Sequence, residues 1–155
     1  MADFAPRALI DVVVAAVAGQ RALFYPGWSG ANGLNLPSNF FVIDDTPHDW
    51  LFPRMSIVIH HGGSGTTHSA ARAGVPSVVL PFAADQFFWA EQLRRLGIAP
   101  VTGSVRRLTA VGLSRSIAAA GTSELRDRAS AVSARMLTED GLGLAVEKVH
   151  ALLGG

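Results

Sequence analysis

Apolar runs and helix-like patterns alternate along the first two thirds of the chain. Apolar runs with the length of strands cover residues 21–25, 40–43, 55–59 and 77–80. Helices are predicted over residues 5–19, 49–52, 66–73 and 85–96. Strands that alternate with helices at this spacing indicate βαβ units and a parallel sheet. The third and fourth runs are almost continuously apolar, which is typical of strands covered on both faces.

The pattern changes beyond residue 100, where helices are predicted over residues 108–120, 123–137 and 142–152. Thr109 and Thr122 stand where N-cap residues are expected, and Gly121 and Gly141 stand at the breaks. The sequence contains no repeat, charge block or linker. We therefore predict a single α/β domain over residues 1–155.

Composition and charge narrow the classes of function. The chain has 155 residues and is 49% hydrophobic, which is enough for one core. Its 13 basic and 12 acidic side chains give no net field that would favour nucleic acid or an acidic membrane surface. No apolar run reaches the ~20 residues of a transmembrane helix. Without cysteine the chain can form neither disulfides nor thiolate metal sites, and we expect it in the cytoplasm.

The most informative stretch runs from His60 to Gln86 and begins with a Gly-rich turn between a strand and a helix. Its candidate phosphate-binding residues are Gly62, Gly63, Ser64, Gly65, Thr66 and Thr67. Glycines let a ligand approach the backbone, and a helix N-terminus presents unpaired N–H groups and a positive dipole end. A glycine pattern alone is weak evidence, so an ordinary turn with Thr66 as N-cap is an equal alternative. No lysine follows the glycines, which excludes a P-loop.

Histidines surround this turn. His61 stands at the end of the strand, where its ring can donate a hydrogen bond to a diphosphate. His60 is expected to point to the opposite face, because side chains alternate along a strand. His68 lies on the following helix, and the spacing matches no metal-ligand pattern. We expect no metal, and we interpret His60 and His68 as hydrogen-bonded structural residues.

Asp85 and Gln86 follow the fourth strand. A carboxylate beside an amide can bind adjacent hydroxyls of a sugar. The alternative is an N-cap aspartate followed by a solvent-facing glutamine. The aromatic residues Trp50, Phe52, Phe87 and Trp89 are interpreted as core, although Trp89 could shelter an apolar ligand face.

At this point the motifs resemble a known family. HHGGSGTT at residues 60–67, AGVP at 73–76 and the P-to-DQ segment at 81–86 resemble the donor-binding signature of the family 1 glycosyltransferases. PHDWLFPR at 47–54 and YPGW at 25–28 are similar to the sterol glucosyltransferases in particular. The resemblance implies a Rossmann-like parallel sheet with helices on both faces, forming one half of a GT-B fold.

The resemblance also implies roles for individual residues. His61 and the loop from Gly62 to Thr67 would bind the diphosphate of a nucleotide-sugar, and Asp85 with Gln86 would bind the hexose. The nucleobase and ribose would be met by Ile43, Pro47, His48 and Ser69, and Trp28 and Ser29 would lie near the phosphates. His48 replaces a common glutamine, and Ser69 replaces the ribose-binding glutamate of many plant members. UDP-glucose or a dTDP-sugar would be a substrate, and no cofactor is implied.

The resemblance implies half of an inverting hexosyltransferase acting on a lipid or natural-product hydroxyl. In the family, an N-terminal domain binds the acceptor and supplies the general base, and the first strand of the C-terminal domain precedes Met1. We therefore expect no catalytic residue here, and an isolated chain that transfers nothing. A donor-binding subunit that needs a partner, an epimerase relative and a non-catalytic truncated module are the alternatives.

Overall fold

A computed structural model describes residues 6–27, 33–103 and 105–153. Its helices are α1 (Pro6–Val17), α2 (His48–Leu51), α3 (Ser64–Arg72), α4 (Gln86–Arg95), α5 (Ala110–Ala120), α6 (Ser123–Leu137) and α7 (Gly141–Leu153). Its strands are β1 (Ala22–Phe24), β2 (Phe40–Val42), β3 (Val58–His60) and β4 (Ser77–Val79). Every predicted element is present, with shorter strands than predicted.

The strands form two parallel pairs, β1 with β2 and β3 with β4. Leu23 lies opposite Phe41 in the first pair, and Ile59 lies opposite Val78 in the second. The predicted parallel direction is confirmed, but the four described strands belong to two sheets rather than one. No described strand lies hydrogen-bonded between β1 and β3, so nothing there joins the pairs into a single ladder.

Helices cover both faces of the second pair, as predicted. Val78 packs in a cluster with residues of α1 and α5. The next residue, Val79, packs in a different cluster with Ala71 of α3, Leu93 of α4 and Ala129 of α6. Because neighbouring side chains of a strand point to opposite faces, these two clusters are the two apolar layers of an α/β sandwich. Within the described residues, no helix combines the length and apolarity needed to cross a bilayer.

Two of the predicted helix starts are confirmed by their caps. The Thr109 hydroxyl accepts a hydrogen bond from the Gly112 N–H, and the Thr122 hydroxyl accepts one from the Leu125 N–H. The alternative in which Thr66 caps α3 is wrong. Gly63 is the N-cap residue, with extended dihedral angles, and α3 begins at Ser64.

Two of the predicted core aromatics lie at the surface. Trp50 and Phe87 are about half exposed, whereas Phe52 is buried as predicted. The helix α2 has a single turn, and it directs Leu51 toward the core and Trp50 outward. The Arg54 guanidinium covers the Trp50 ring at 4.4 Å from its centroid. Because α2 has only one turn, it cannot bury both Trp50 and Phe52.

Candidate functional site

The two predicted binding segments start from neighbouring strands at the same edge of the sheet. β3 and β4 are parallel, and the Leu80 N–H donates to the His60 carbonyl at 2.8 Å where both strands end. Parallel α/β sheets bind ligands outside the carboxyl ends of their strands. The Gly-rich loop and the Asp85–Gln86 pair therefore emerge side by side.

Gly62 joins the two segments directly. A Cβ added to Gly62 would lie 2.8 Å from Val79 Cγ1 and 3.0 Å from the Gln86 carbonyl oxygen. Its φ of +93° also disfavours any side chain. Only glycine allows the loop to pass this close to the start of α4. The contact brings the phosphate-binding and sugar-binding candidates together.

The N-terminus of α3 presents N–H groups that no side chain caps. Gly63 offers no side-chain acceptor, and the first helical bond runs from the Thr67 N–H to the Gly63 carbonyl. The N–H groups of Ser64, Gly65 and Thr66 precede that bond, so they have no partner inside the helix. The geometry is that of an anion-binding helix terminus.

The His61 ring lies over the same loop. Its side chain is exposed, and a Cβ on Gly63 would come within 2.6 Å of the ring Nε2. The ring therefore occupies the space that the absence of a side chain at Gly63 leaves. Thr67 behaves differently, because its hydroxyl is buried without a partner and its N–H is used inside α3. The structure thus places His61 at the loop surface and turns Thr67 inward.

His60 is a buried residue that hydrogen-bonds to the Gly-rich loop, which confirms its predicted structural role. It points inward as predicted, and its Nδ1 accepts a hydrogen bond from the Gly62 N–H at 3.1 Å. Burial, and then the neighbouring His61 and His48, lower the pKa of His60 from 6.5 to about 4. The neutral ring that accepts at Nδ1 carries its proton on Nε2, and this buried donor has no partner in the described structure. In the sequence, His60 is marked only by its place in the pair with His61.

The Asp85 carboxylate is not used as a helix cap. Asp85 has helical dihedral angles and makes no capping hydrogen bond. Instead its Oδ2 accepts a hydrogen bond from Trp89 Nε1 at 3.0 Å. Gln86 is not simply solvent-facing either, since its Oε1 accepts from the N–H groups of Phe82 and Ala83 at 2.8 and 3.1 Å. The glutamine amide nitrogen and one aspartate oxygen are left for a ligand.

The residues predicted to meet the nucleobase and ribose lie on or beside three elements: β2, α2 and α3. The Ile43 side chain is partly buried and packs against the apolar cluster of Leu51 and Phe52. The His48 ring is exposed and stacks on Phe52 at 4.3 Å. Pro47 is exposed, and Ser69 is partly buried on α3. Trp28 and Ser29 lie outside the described residues.

A metal-binding cluster or a cavity among the described residues would be another candidate site. No three His, Asp or Glu side chains come together there as a metal site would require. A cavity of about 320 Å³ lies between α4 and residues 100–103. None of the predicted site residues lines it, so this cavity is not the predicted site.

Comparison with known proteins gives this geometry a family. Residues 13–151 match the family of the erythromycin biosynthesis protein CIII-like C-terminal domain. The chain belongs to this family. Its members are C-terminal domains of family 1 glycosyltransferases, and the resemblance in the motifs is confirmed.

A sterol 3-beta-glucosyltransferase of Arabidopsis thaliana is 35% identical to this family member over 149 residues. The match covers 94% of the present chain and 24% of the plant protein. The present chain thus spans about a quarter of the length of this curated relative.

Solved structures confirm the fold. The glycotransferase of kitacinnamycin superposes with a TM-score of 0.82 at 23% identity, over 93% of this chain and 38% of that one. The spinosyn rhamnosyltransferase complexed with thymidine diphosphate superposes with a TM-score of 0.79 at 26% identity, over 94% of this chain and 41% of that one. The present domain therefore has the architecture of one half of a GT-B glycosyltransferase.

Proposed function

We propose that this chain binds a nucleotide-diphosphate sugar and is the donor half of an inverting hexosyltransferase. The diphosphate lies against His61 and the N–H groups at the start of α3. The hexose hydroxyls lie against Asp85 and Gln86. The acceptor of the complete enzyme is a hydroxyl of a lipid or natural product, in line with the sterol 3-beta-glucosyltransferase relatives.

The observation that carries the proposal is the contact between Gly62 and Gln86. A diphosphate and the sugar attached to it are only a few bonds apart, so their binding groups must be adjacent. The missing Cβ of Gly62 allows the loop to lie against the Gln86 carbonyl. Solved relatives support the nucleotide part, since one was determined with thymidine diphosphate.

The contribution of this domain to transfer is electrostatic. When an acceptor oxygen attacks the anomeric carbon, the bond to the diphosphate breaks and negative charge grows on the leaving group. The uncapped N–H groups of α3 and the His61 ring stabilise that charge without moving. The general base belongs to a separate acceptor domain in this proposal.

Calorimetry with uridine diphosphate and with thymidine diphosphate tests the binding function. We expect the wild-type chain to bind at least one of them weakly, and His61→Ala to weaken that binding about tenfold, because a charge-assisted hydrogen bond contributes roughly 1.5–3 kcal/mol. His150→Ala is the matched control, since that histidine is exposed on α7, away from the strand ends. Failure of wild type to bind either nucleotide, or equal binding by His61→Ala, would refute the proposal.

A donor-binding subunit that works with a separate acceptor-domain protein is the second candidate. Transfer of labelled hexose after an acceptor domain is added in trans would establish it. A non-catalytic truncated module is the outcome if nucleotide binds and no added acceptor domain restores transfer.

A further inference from the structure

The carboxylate of Asp85 is held by an indole. Asp85 stands immediately before α4, in the position where an aspartate usually caps the helix, yet it makes no such bond. Its Oδ2 accepts instead from Trp89 Nε1, one turn along α4, at 3.0 Å. The preceding residue, Ala84, has a φ of +54°, which is uncommon outside glycine. In this turn the carboxylate bonds to the tryptophan and does not cap the helix.

The Trp89 ring is itself held by neighbours on two elements. It meets the His68 ring edge-on, with centroids 4.9 Å apart and planes at 72°. On its own helix it meets Phe88 in a similar edge contact at 5.1 Å. Two perpendicular contacts of this kind restrict rotation of the indole, and each is worth more than its buried area alone. The direction of the Nε1–H bond is therefore set before any ligand arrives.

His68 ties this arrangement to the Gly-rich loop. Its Nδ1–H donates to the carbonyl of Ser64, the first residue of α3, at 2.8 Å. A continuous set of contacts thus runs from Ser64 through His68 and Trp89 to Asp85. It links the start of the phosphate-binding helix to the carboxylate on the sugar side.

We propose that Trp89 is a positioning residue that orients the Asp85 carboxylate for a hexose hydroxyl. By occupying Oδ2, the indole leaves Oδ1 directed toward the ligand and reduces the number of carboxylate conformations that binding must freeze. This inference rests on the proposed function, since it assumes that the crevice binds a nucleotide-sugar. It assigns Trp89 an effect on the sugar alone and none on the nucleoside diphosphate.

The test compares uridine diphosphate with UDP-glucose by calorimetry. Trp89→Phe keeps an aromatic ring in the side chain and removes the N–H donor together with the five-membered ring of the indole. We expect unchanged affinity for uridine diphosphate and a loss of about three- to tenfold in affinity for UDP-glucose, the range of one ordinary net hydrogen bond, because the indole acts on the sugar only through the carboxylate. Trp50→Phe is the matched control, because its indole contacts Arg54 and not Asp85.

A double substitution separates positioning from packing. In an Asp85→Ala background, Trp89→Phe should change the UDP-glucose affinity no further, because the carboxylate that it orients is gone. Additive losses would overturn the inference, and so would equal UDP-glucose affinities of Trp89→Phe and wild type. If wild type binds neither UDP-glucose nor uridine diphosphate, the proposed function falls and this inference falls with it. Binding of both ligands with an unaffected Trp89→Phe variant refutes the positioning role alone.

The hydrogen bond can also be observed without a nucleotide. In ¹H–¹⁵N spectra the Trp89 indole proton should exchange slowly with water, and Asp85→Ala should accelerate that exchange. The Trp50 indole signal should not respond. Fast exchange of the Trp89 proton in the wild-type chain would show that its hydrogen bond to Asp85 does not persist, and this would overturn the inference.

Discussion

The two strand pairs have the same local geometry and different surroundings. Both are parallel, three residues long and in regular register. All three residues of β4 are buried, whereas Leu23 of β1 is 42% exposed and Phe41 opposite it is 52% exposed. The β3–β4 pair lies between two layers of helices, and the β1–β2 pair has a bare face. The candidate phosphate and sugar residues within the described chain follow the covered pair, and Trp28 and Ser29 lie outside the described residues.

The difference in burial between the two strand pairs gives a physical reason why the candidate binding loop follows β3. A binding loop needs a rigid base, because any motion of its N–H groups weakens their attraction to a ligand. The loop after β3 is backed by Val79 and by the start of α4. A Cβ on Gly27, the last described residue after β1, would meet nothing within 4 Å. The covered strand pair therefore provides the loop after β3 with a packed base.

The largest effect should come from placing a methyl group where the two site segments touch. Gly62→Ala combines a strained φ with contacts to Val79 and Gln86, and we expect it to lower the free energy of unfolding by about 3 kcal/mol or more. Gly19→Ala is the matched variant, with a φ of +79° and nothing within 4 Å. It should cost only about 1 kcal/mol, which is the strain of the dihedral angle alone. Equal losses in urea unfolding would show that the two regions are not packed differently.

The next effect is a pH dependence confined to the covered pair. Because the pKa of His60 is about 4 in the folded chain, below the ordinary histidine value of 6.5, the unfolded chain binds a proton more readily. Stability should be constant above pH 6.5 and fall as the pH drops toward 4, by on the order of 3 kcal/mol in total. Urea unfolding at several pH values measures it.

A non-titrating acceptor provides the control for that experiment. His60→Gln can still accept from the Gly62 N–H, and it should flatten the pH dependence between 6.5 and 4. His68→Gln, at an exposed position, should leave the dependence in place. A steep dependence that survives His60→Gln would mean that another group is responsible.

A smaller contrast is expected from truncating one apolar residue in each pair. Val78 is fully buried, so Val78→Ala should leave a cavity and cost about 2 kcal/mol. Leu23→Ala should change the free energy of unfolding by no more than about 0.5 kcal/mol, because the side chain already faces water. Denaturant midpoints at constant slope give both values. A larger loss from Leu23→Ala would mean that the β1–β2 face is covered in solution.

The smallest effect on stability, and the most direct test of the bare face, is Phe41→Thr. Replacing this exposed ring should leave stability within about 0.5 kcal/mol. It should reduce self-association, which exposed apolar patches promote. Sedimentation velocity over a range of protein concentrations measures the change. Unaltered sedimentation together with unaltered stability would show that the Phe41 ring mediates no self-association.

Much of the fold could be predicted from local patterns. Hydrophobic periodicity and turn residues placed the seven α-helices and four strands of the described chain. Thr109 and Thr122 cap their helices because a threonine hydroxyl can satisfy an N–H group within its own turn. Ordered motifs identified the family, since glycines, histidines and the DQ pair occur at fixed spacing. Such features depend on residues close together in sequence, and so a pattern can report them.

The rest required the packing of distant segments. The exposure of Trp50 and Phe87, the separation of the strands into two pairs and the inward turn of Thr67 depend on which elements meet. The bonds of Asp85 to Trp89 and of His60 to the Gly62 N–H depend on rotamers that neighbours select. The sequence shows which functional groups a site contains, but tertiary contacts decide the direction in which each group points. Here those contacts direct one carboxylate oxygen of Asp85 to the Trp89 indole and bring Gly62 against the backbone of Gln86.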